Sequence, residues 1–142
     1  MPITVTAPRG QLTPNGEHTI MPRLIEALID VSGARGNEFF TSIIGGTVHL
    51  LEPADMYAGG VNRPVVMIEL KLPNIGLSTL DSRATFIAEA TRIVEELTID
   101  GHRADDTWVN ILNAQDGAWG IGGRQYTGDG LIAATSESSH RD

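Results

Sequence analysis

The chain has 142 residues, 41% apolar and 20% charged, which suits a single soluble globular domain with a real core. A formal net charge of -8 without any run of Lys or Arg excludes an electrostatic footprint for nucleic acid. There is no cysteine, and His18, His49, His102 and His140 are scattered without ligand spacing, so disulfides and a zinc centre are not expected.

The first stretch, Met1-Pro2-Ile3-Thr4-Val5-Thr6, sets a proline directly behind a methionine and leads into alternation of Ile3, Val5 and Ala7 with Thr4 and Thr6. That alternation predicts a half-buried strand, closed by Pro8-Arg9-Gly10. If Met1 is removed, Pro2 becomes a secondary amine. Its pKa would start at about 8 and fall further beside apolar walls or a cation, into the range where proton transfer works best. Thr13-Pro14 is a helix start, N-cap then proline. Ile20, Met21, Leu24, Ile25, Leu28 and Val31 keep helical spacing up to a stop at Gly33. Pro22 is discordant: either the helix kinks there or its regular part begins just before it.

Residues 43–51 read as a second strand, with Gly45 and Gly46 predicting a bend or bulge near its start. Ala54 to Pro64 reads as a loop, and Val65 to Leu72 as the strongest strand, with Val66, Ile68, Leu70 and Leu72 on one face and Met67, Glu69 and Lys71 on the other. Ser78 and Asp81 resemble a capping box before a second helix. Phe86, Ile87, Ala90, Ile93, Val94 and Leu97 form its apolar stripe, and Arg83, Glu89, Arg92, Glu95 and Glu96 its wet side. Thr107 to Leu112 is a fourth strand, and the glycines of 117–123 permit a tight hairpin.

The order is β-α-β followed by β-α-β, an α+β class in which two such units form a four-stranded sheet with two helices on one face. Residues 1–130 are expected to be one domain, and 131–142 a loose polar tail. The other sheet face is left bare. The strands at 65–72 and 107–112 are apolar enough to predict self-association through it. No basic start precedes an apolar stretch and no window of about 18 apolar residues occurs, so neither a leader nor a membrane span is expected, and the cytoplasm is the default location.

Several runs carry a resemblance: Pro2 ahead of a strand, Leu12-Thr13-Pro14, Met56-Tyr57-Ala58-Gly59-Gly60, Asp105-Asp106, Trp119-Gly120-Ile121-Gly122-Gly123 and Tyr126-Thr127-Gly128-Asp129. In this order along a double β-α-β chain they resemble the tautomerase superfamily, which includes 4-oxalocrotonate tautomerase, macrophage migration inhibitory factor, malonate semialdehyde decarboxylase and the chloroacrylic acid dehalogenases. The resemblance spans roughly residues 2 to 130. It implies a homotrimer whose sheets face inward, no cofactor, and an amino-terminal proline in an apolar pocket that moves a proton between carbon and oxygen of a small enol or keto acid.

On that resemblance Pro2 is the catalytic base and acid, and Trp119 matches the pocket aromatic, while also suiting a tryptophan that packs a hairpin. Arg9 and Arg35 lie in loops where a cation would lower the proline's pKa and hold a substrate carboxylate, or simply stay solvated. Lys71 either binds carboxylate or solubilises an edge, and Asn110 resembles a pocket asparagine. Glu38 stands where the decarboxylase carries an acidic residue that orients water or a proton. Pro73-Asn74-Ile75-Gly76-Leu77 replaces the arginine pair of the dehalogenases. The expected activity is therefore tautomerisation of a 2-keto or 2-hydroxydienoate acid. The alternatives are hydration, dehalogenation or decarboxylation of a small unsaturated or β-keto acid, or a trimeric binding module without activity.

Overall fold

A computed structural model describes residues 1–138. β1 (Pro2–Pro8) is followed by α1 (Pro14–Val31), a short α2 (Glu38–Ser42) and β2 (Gly45–Leu51). A small hairpin of β3 (Tyr57–Ala58) and β4 (Val61–Asn62) leads into β5 (Val66–Leu72), α3 (Leu80–Leu97) and β6 (Thr107–Asn113). A second hairpin, β7 (Trp119–Ile121) with β8 (Arg124–Tyr126), precedes α4 (Gly128–Ser138). The four long strands form one sheet in the order β2-β1-β5-β6, parallel within each β-α-β unit and antiparallel where β1 meets β5. The α+β architecture expected from the sequence is the one observed.

β1 is interior to the sheet. Its register with β2 runs without interruption from Pro2 opposite Gly45 to Pro8 opposite Leu51. No bulge occurs at the two glycines, contrary to the sequence expectation. Gly46 instead answers a close approach: a Cβ there would stand 2.5 Å from the Ile3 carbonyl oxygen and press on Met21. Ile3, Val5 and Ala7 of β1 and Val66, Ile68, Leu70 and Leu72 of β5 point into the core beneath α1 and α3, all at most 1% exposed.

α1 begins where Thr13-Pro14 predicts, the Thr13 hydroxyl oxygen accepting from the Gly16 N–H at 2.9 Å, and it runs continuously through Pro22. Burial of Ile20, Leu24 and Leu28 on one face outweighs the hydrogen bond that Pro22 removes. α3 is capped one residue later than Ser78: the Thr79 hydroxyl accepts from Ser82 N–H at 3.1 Å. Ile87, placed on the apolar stripe by spacing, is 40% exposed at the edge of that face.

Two expectations need correction. Residues 131–138 are not a loose tail but belong to α4, whose Leu131 is 3% exposed, while 139–142 lie outside the described residues. The uncovered sheet face is also less apolar than predicted. Strand alternation sends the apolar half of β5 to the helices, leaving Thr4, Thr6, Thr47, His49, Glu69, Lys71 and Asn110 around Met67, Trp108 and Leu112.

Replacing Gly46 with Ala forces β1 and β2 apart or displaces Met21. We expect a loss of about 1–3 kcal/mol in urea unfolding, whereas Gly45→Ala, with open space around its Cβ, stays near wild type.

Candidate active site

The amino-terminal end of β1 opens on a cleft of about 480 Å³. One wall comes from the C-terminal end of α1 and the loop to Asn37, another from Phe40 of α2 and Ile43. Leu72 and the loop that follows β5 form the third, and Leu131 and Thr135 of α4 the roof. Met1 lies in this cleft, 6% exposed, and its amine donates to the Ile43 carbonyl oxygen. The Gly45 N–H donates to the Met1 carbonyl at 3.2 Å, extending the β1–β2 ladder by one residue. Stripped of water by this burial, the Met1 amine has a pKa lowered from 8.0 to about 6. Pro2 follows directly at the end of β1, exposed on the face turned away from the helices.

The cleft wall after β5 is unusual in its backbone. Leu77 is the one non-glycine described residue with positive φ, at 43°, a conformation that costs an L residue about 1–2 kcal/mol. Its carbonyl accepts a 2.8 Å hydrogen bond from Arg83 Nε. Spacing alone sets Arg83 on the wet side of α3. Nothing in a helical periodicity signals that it reaches back six residues to fix a loop.

Among the other sequence candidates, Lys71 is the cation that the register brings to Pro2's end of the sheet. Ile3 pairs with Leu70, so the next position in each strand sets Lys71 opposite Pro2, both on the face away from the helices. Lys71 Nζ lies 3.2 Å from Glu69, half-exposed. Asn110 is on that same face, opposite Glu69 and one strand further out, next to Trp108. Arg9 stands at the other end of β1, roughly 23 Å from Pro2 at a rise of about 3.3 Å per residue, and its Nε holds Glu52 at 2.9 Å. Arg35 follows α1 but turns outward to Glu26 and Asp30, whose hydrogen bonds raise its pKa. Within one chain neither arginine meets Pro2.

Glu38 is the first residue of α2 and exposed, while its neighbours Asn37 and Phe40 line the cleft. Trp119 stands in the predicted glycine-rich hairpin and packs on the main core, its indole N–H buried without an acceptor among the described residues. It is not part of the cleft wall. The residues that sequence reasoning did not single out are Ile75, Leu77 and Leu131, which the loop after β5 and α4 bring to the cleft. Their only signal was hydrophobicity in segments that otherwise read as loop and tail. The described residues hold no group of His, Asp or Glu arranged to take a metal ion, and no helix long and apolar enough to cross a membrane.

No family model matches the chain, and no curated protein sequence does. Solved structures match over nearly its full length. The crystal structure of Pt0534 inactivated by 2-oxo-3-pentynoate superposes with a TM-score of 0.74 at 18% identity, covering 92% of this chain and 98% of that one. A wild-type fused 4-OT, the Q0 symmetric trimer, gives 0.74 at 16% identity over 94% and 98%. The macrophage migration inhibitory factor of Toxoplasma gondii gives 0.67 at 17% identity over 89% and 100%. The chain thus has the fold to which its sequence motifs pointed.

The buried Met1 amine makes stability depend on pH in the form that keeps Met1. Its folded pKa, about 6, lies below the unfolded 8.0, so the unfolded state binds the extra proton between these values. Stability is fully present above pH 8 and falls as the pH drops towards 6. His102, hydrogen-bonded to Gln11 and Thr107 and lowered by burial, adds its loss only below its ordinary 6.5. The urea midpoint of the Met1 form should therefore be higher at pH 8 than at pH 6.5. Equal midpoints would mean that the amine is solvated.

Proposed function

We propose that this chain is a cofactor-free tautomerase of small 2-keto or 2-hydroxydienoate carboxylic acids, with Pro2, freed by removal of Met1, as general base and then acid. The observation that carries the reading is the cleft at the end of β1, whose walls bury the Met1 amine and lower its pKa from 8.0 to about 6, one residue before Pro2. The reading requires the Pro2 amine, once freed, to be neutral near pH 7, as a base must be. Protonated once, it is acid enough to return the proton. In this reaction the neutral Pro2 nitrogen takes the enol hydroxyl proton, electron density moves through the conjugated system, and the same proton is delivered to carbon. No group leaves and nothing is oxidised.

The substrate carboxylate is assigned to Lys71, the cation opposite Pro2, by a charge-assisted hydrogen bond that competes with Glu69. Arg9 and Arg35 reach a Pro2 site only across a subunit boundary. This reading therefore includes a homotrimer packed through the helix-free sheet face. The fused 4-OT of the same fold is itself a symmetric trimer, and Pt0534 is a protein inactivated by a 2-oxo acid. Water addition or dehalogenation through Glu38 has less support, because Glu38 faces solvent outside the cleft wall and the loop after β5 carries no cation.

Pro2→Ala leaves a primary amine of different basicity, and ketonisation should fall by roughly 10²–10⁴-fold in kcat. Unchanged turnover would move the chemistry elsewhere. Intact mass should show Met1 absent from the active protein. Sedimentation should give a mass three times that of one chain, and a stable monomer at micromolar concentration would contradict the trimer.

A further inference from the structure

Among the described residues, the wall of the cleft is uncharged. Of the described residues that line it, none is Asp, Glu, Lys, Arg or His. None of the cations nearest in sequence reaches into it: Arg35 bonds Glu26 and Asp30, Lys71 stands on the outer sheet face beside Glu69, and Arg83 bonds the Leu77 carbonyl. The polar groups of the wall are largely engaged in closing helices. Asn37 Oδ1 accepts from the Phe40 N–H at 2.9 Å, Thr79 caps α3, and Ser82 donates to the Thr79 carbonyl. The remaining surface is that of Val31, Phe40, Ile43, Ile75, Leu77 and Leu131.

α4 is fixed over this cleft at both ends. Asp116 Oδ1 accepts from the Gly128 N–H at 2.7 Å at its start. Towards its end Asn37 Nδ2 donates to the Thr135 carbonyl at 3.0 Å, and Ser138 Oγ to Asn37 Oδ1 at 3.0 Å. Gly128 allows the close seating: a Cβ there would meet Ile75 Cγ2 at 2.7 Å. The roof therefore presents one apolar side chain, Leu131, to the space below. Met1 shows what that space accepts, since its unbranched thioether side chain is buried there although its own amine is desolvated by the same walls.

We propose that the cleft selects 2-oxo monocarboxylic acids whose far end is uncharged and apolar, with Leu131 of α4 as the residue that limits tail length. The inference rests on Pro2 being the proton-transfer group. It adds which acids that group meets. The carboxylate stays outside the cleft, on the outer sheet face where Lys71 stands opposite Pro2, Pro2 lies at the strand end between, and the tail enters the uncharged cleft beside the place that Met1 vacates. A second carboxylate on the tail would lose its hydration with no cation to receive it, a large cost for a buried unpaired charge.

The test follows deuterium exchange at C3 by proton NMR in D₂O on the processed protein, because a base that forms the enol takes a C3 proton and returns a deuteron. The substrates are 2-oxobutanoate, 2-oxohexanoate, 2-oxooctanoate and the dicarboxylate 2-oxoadipate. From 2-oxobutanoate to 2-oxohexanoate, kcat/KM should rise by about fourfold per methylene, and 2-oxoadipate should fall at least about tenfold below 2-oxohexanoate. Leu131→Ala should shift the optimum to 2-oxooctanoate, and Leu131→Trp should shift it to 2-oxobutanoate, with Pro2-dependent exchange retained in both. Equal or better exchange with 2-oxoadipate overturns the charge selection. An unaltered chain-length profile in both variants overturns the role of Leu131. Exchange that survives Pro2→Ala, or that occurs with none of the acids, sinks the tautomerase reading instead. The cleft is then judged by binding alone: hexanoate, and not adipate, should shift the Leu131 methyl resonances, and the reverse would dismiss it.

Discussion

The double pairing of the first strand is the constraint on which the rest of this structure depends. A chain terminus ordinarily frays, yet β1 lies between β2 and β5, bonded on both edges, and its core-facing residues are fully buried. The parallel partner β2 can be reached only by a crossover, which α1 supplies, and the antiparallel partner β5 opens a second unit of the same kind. Because β1 is bonded on both edges, the Met1 amine that precedes it is held at a fixed place in the cleft, where burial lowers its pKa to about 6. A flexible amino terminus would be solvated and protonated at neutral pH.

Much of this frame was legible in the sequence because it depends on short-range patterns. The alternation of Ile3, Val5 and Ala7, the Thr13-Pro14 entry and the stripe Phe86, Ala90, Ile93, Val94 and Leu97 each specify an element whose buried face the structure confirms. Pro22 misled only partly, since tertiary burial of α1 overrides one lost hydrogen bond. Gly45 and Gly46 signalled a special backbone site, but the reason is the approach of Met21 and the Ile3 carbonyl at Gly46, and this depends on a helix packed from elsewhere. α2 was missed because five residues give no period, although Asn37 is an ordinary N-cap.

The roof was the hardest part to read. Gly128 and Gly130 at the start of α4 and the polar Ser136-Glu137-Ser138 at its end look like a tail, and only Leu131 carries apolar bulk inward. What makes a helix there is tertiary: Asp116 at one end, Asn37 at the other, and the seat on Ile75. The cations show the same dependence on long-range structure. Arg9, Arg35 and Lys71 were alike as loop or edge charges. Register separates Lys71, set opposite Pro2, from Arg9 at the far end of the same strand, and the carboxylates of α1 turn Arg35 away.

The division of labour in this account is a neutral amine at a strand end, a cation on the outer sheet face and an uncharged room beneath α4. Its central claim is that the cleft holds the Pro2 nitrogen unprotonated near neutral pH. The direct measurement is a ¹⁵N NMR titration of the Pro2 nitrogen in protein that has lost Met1. The account predicts a midpoint clearly below the value of about 8 that is ordinary for an α-amino group. A midpoint at or above that value would mean that the amine is solvated and cationic at neutral pH, and would contradict it.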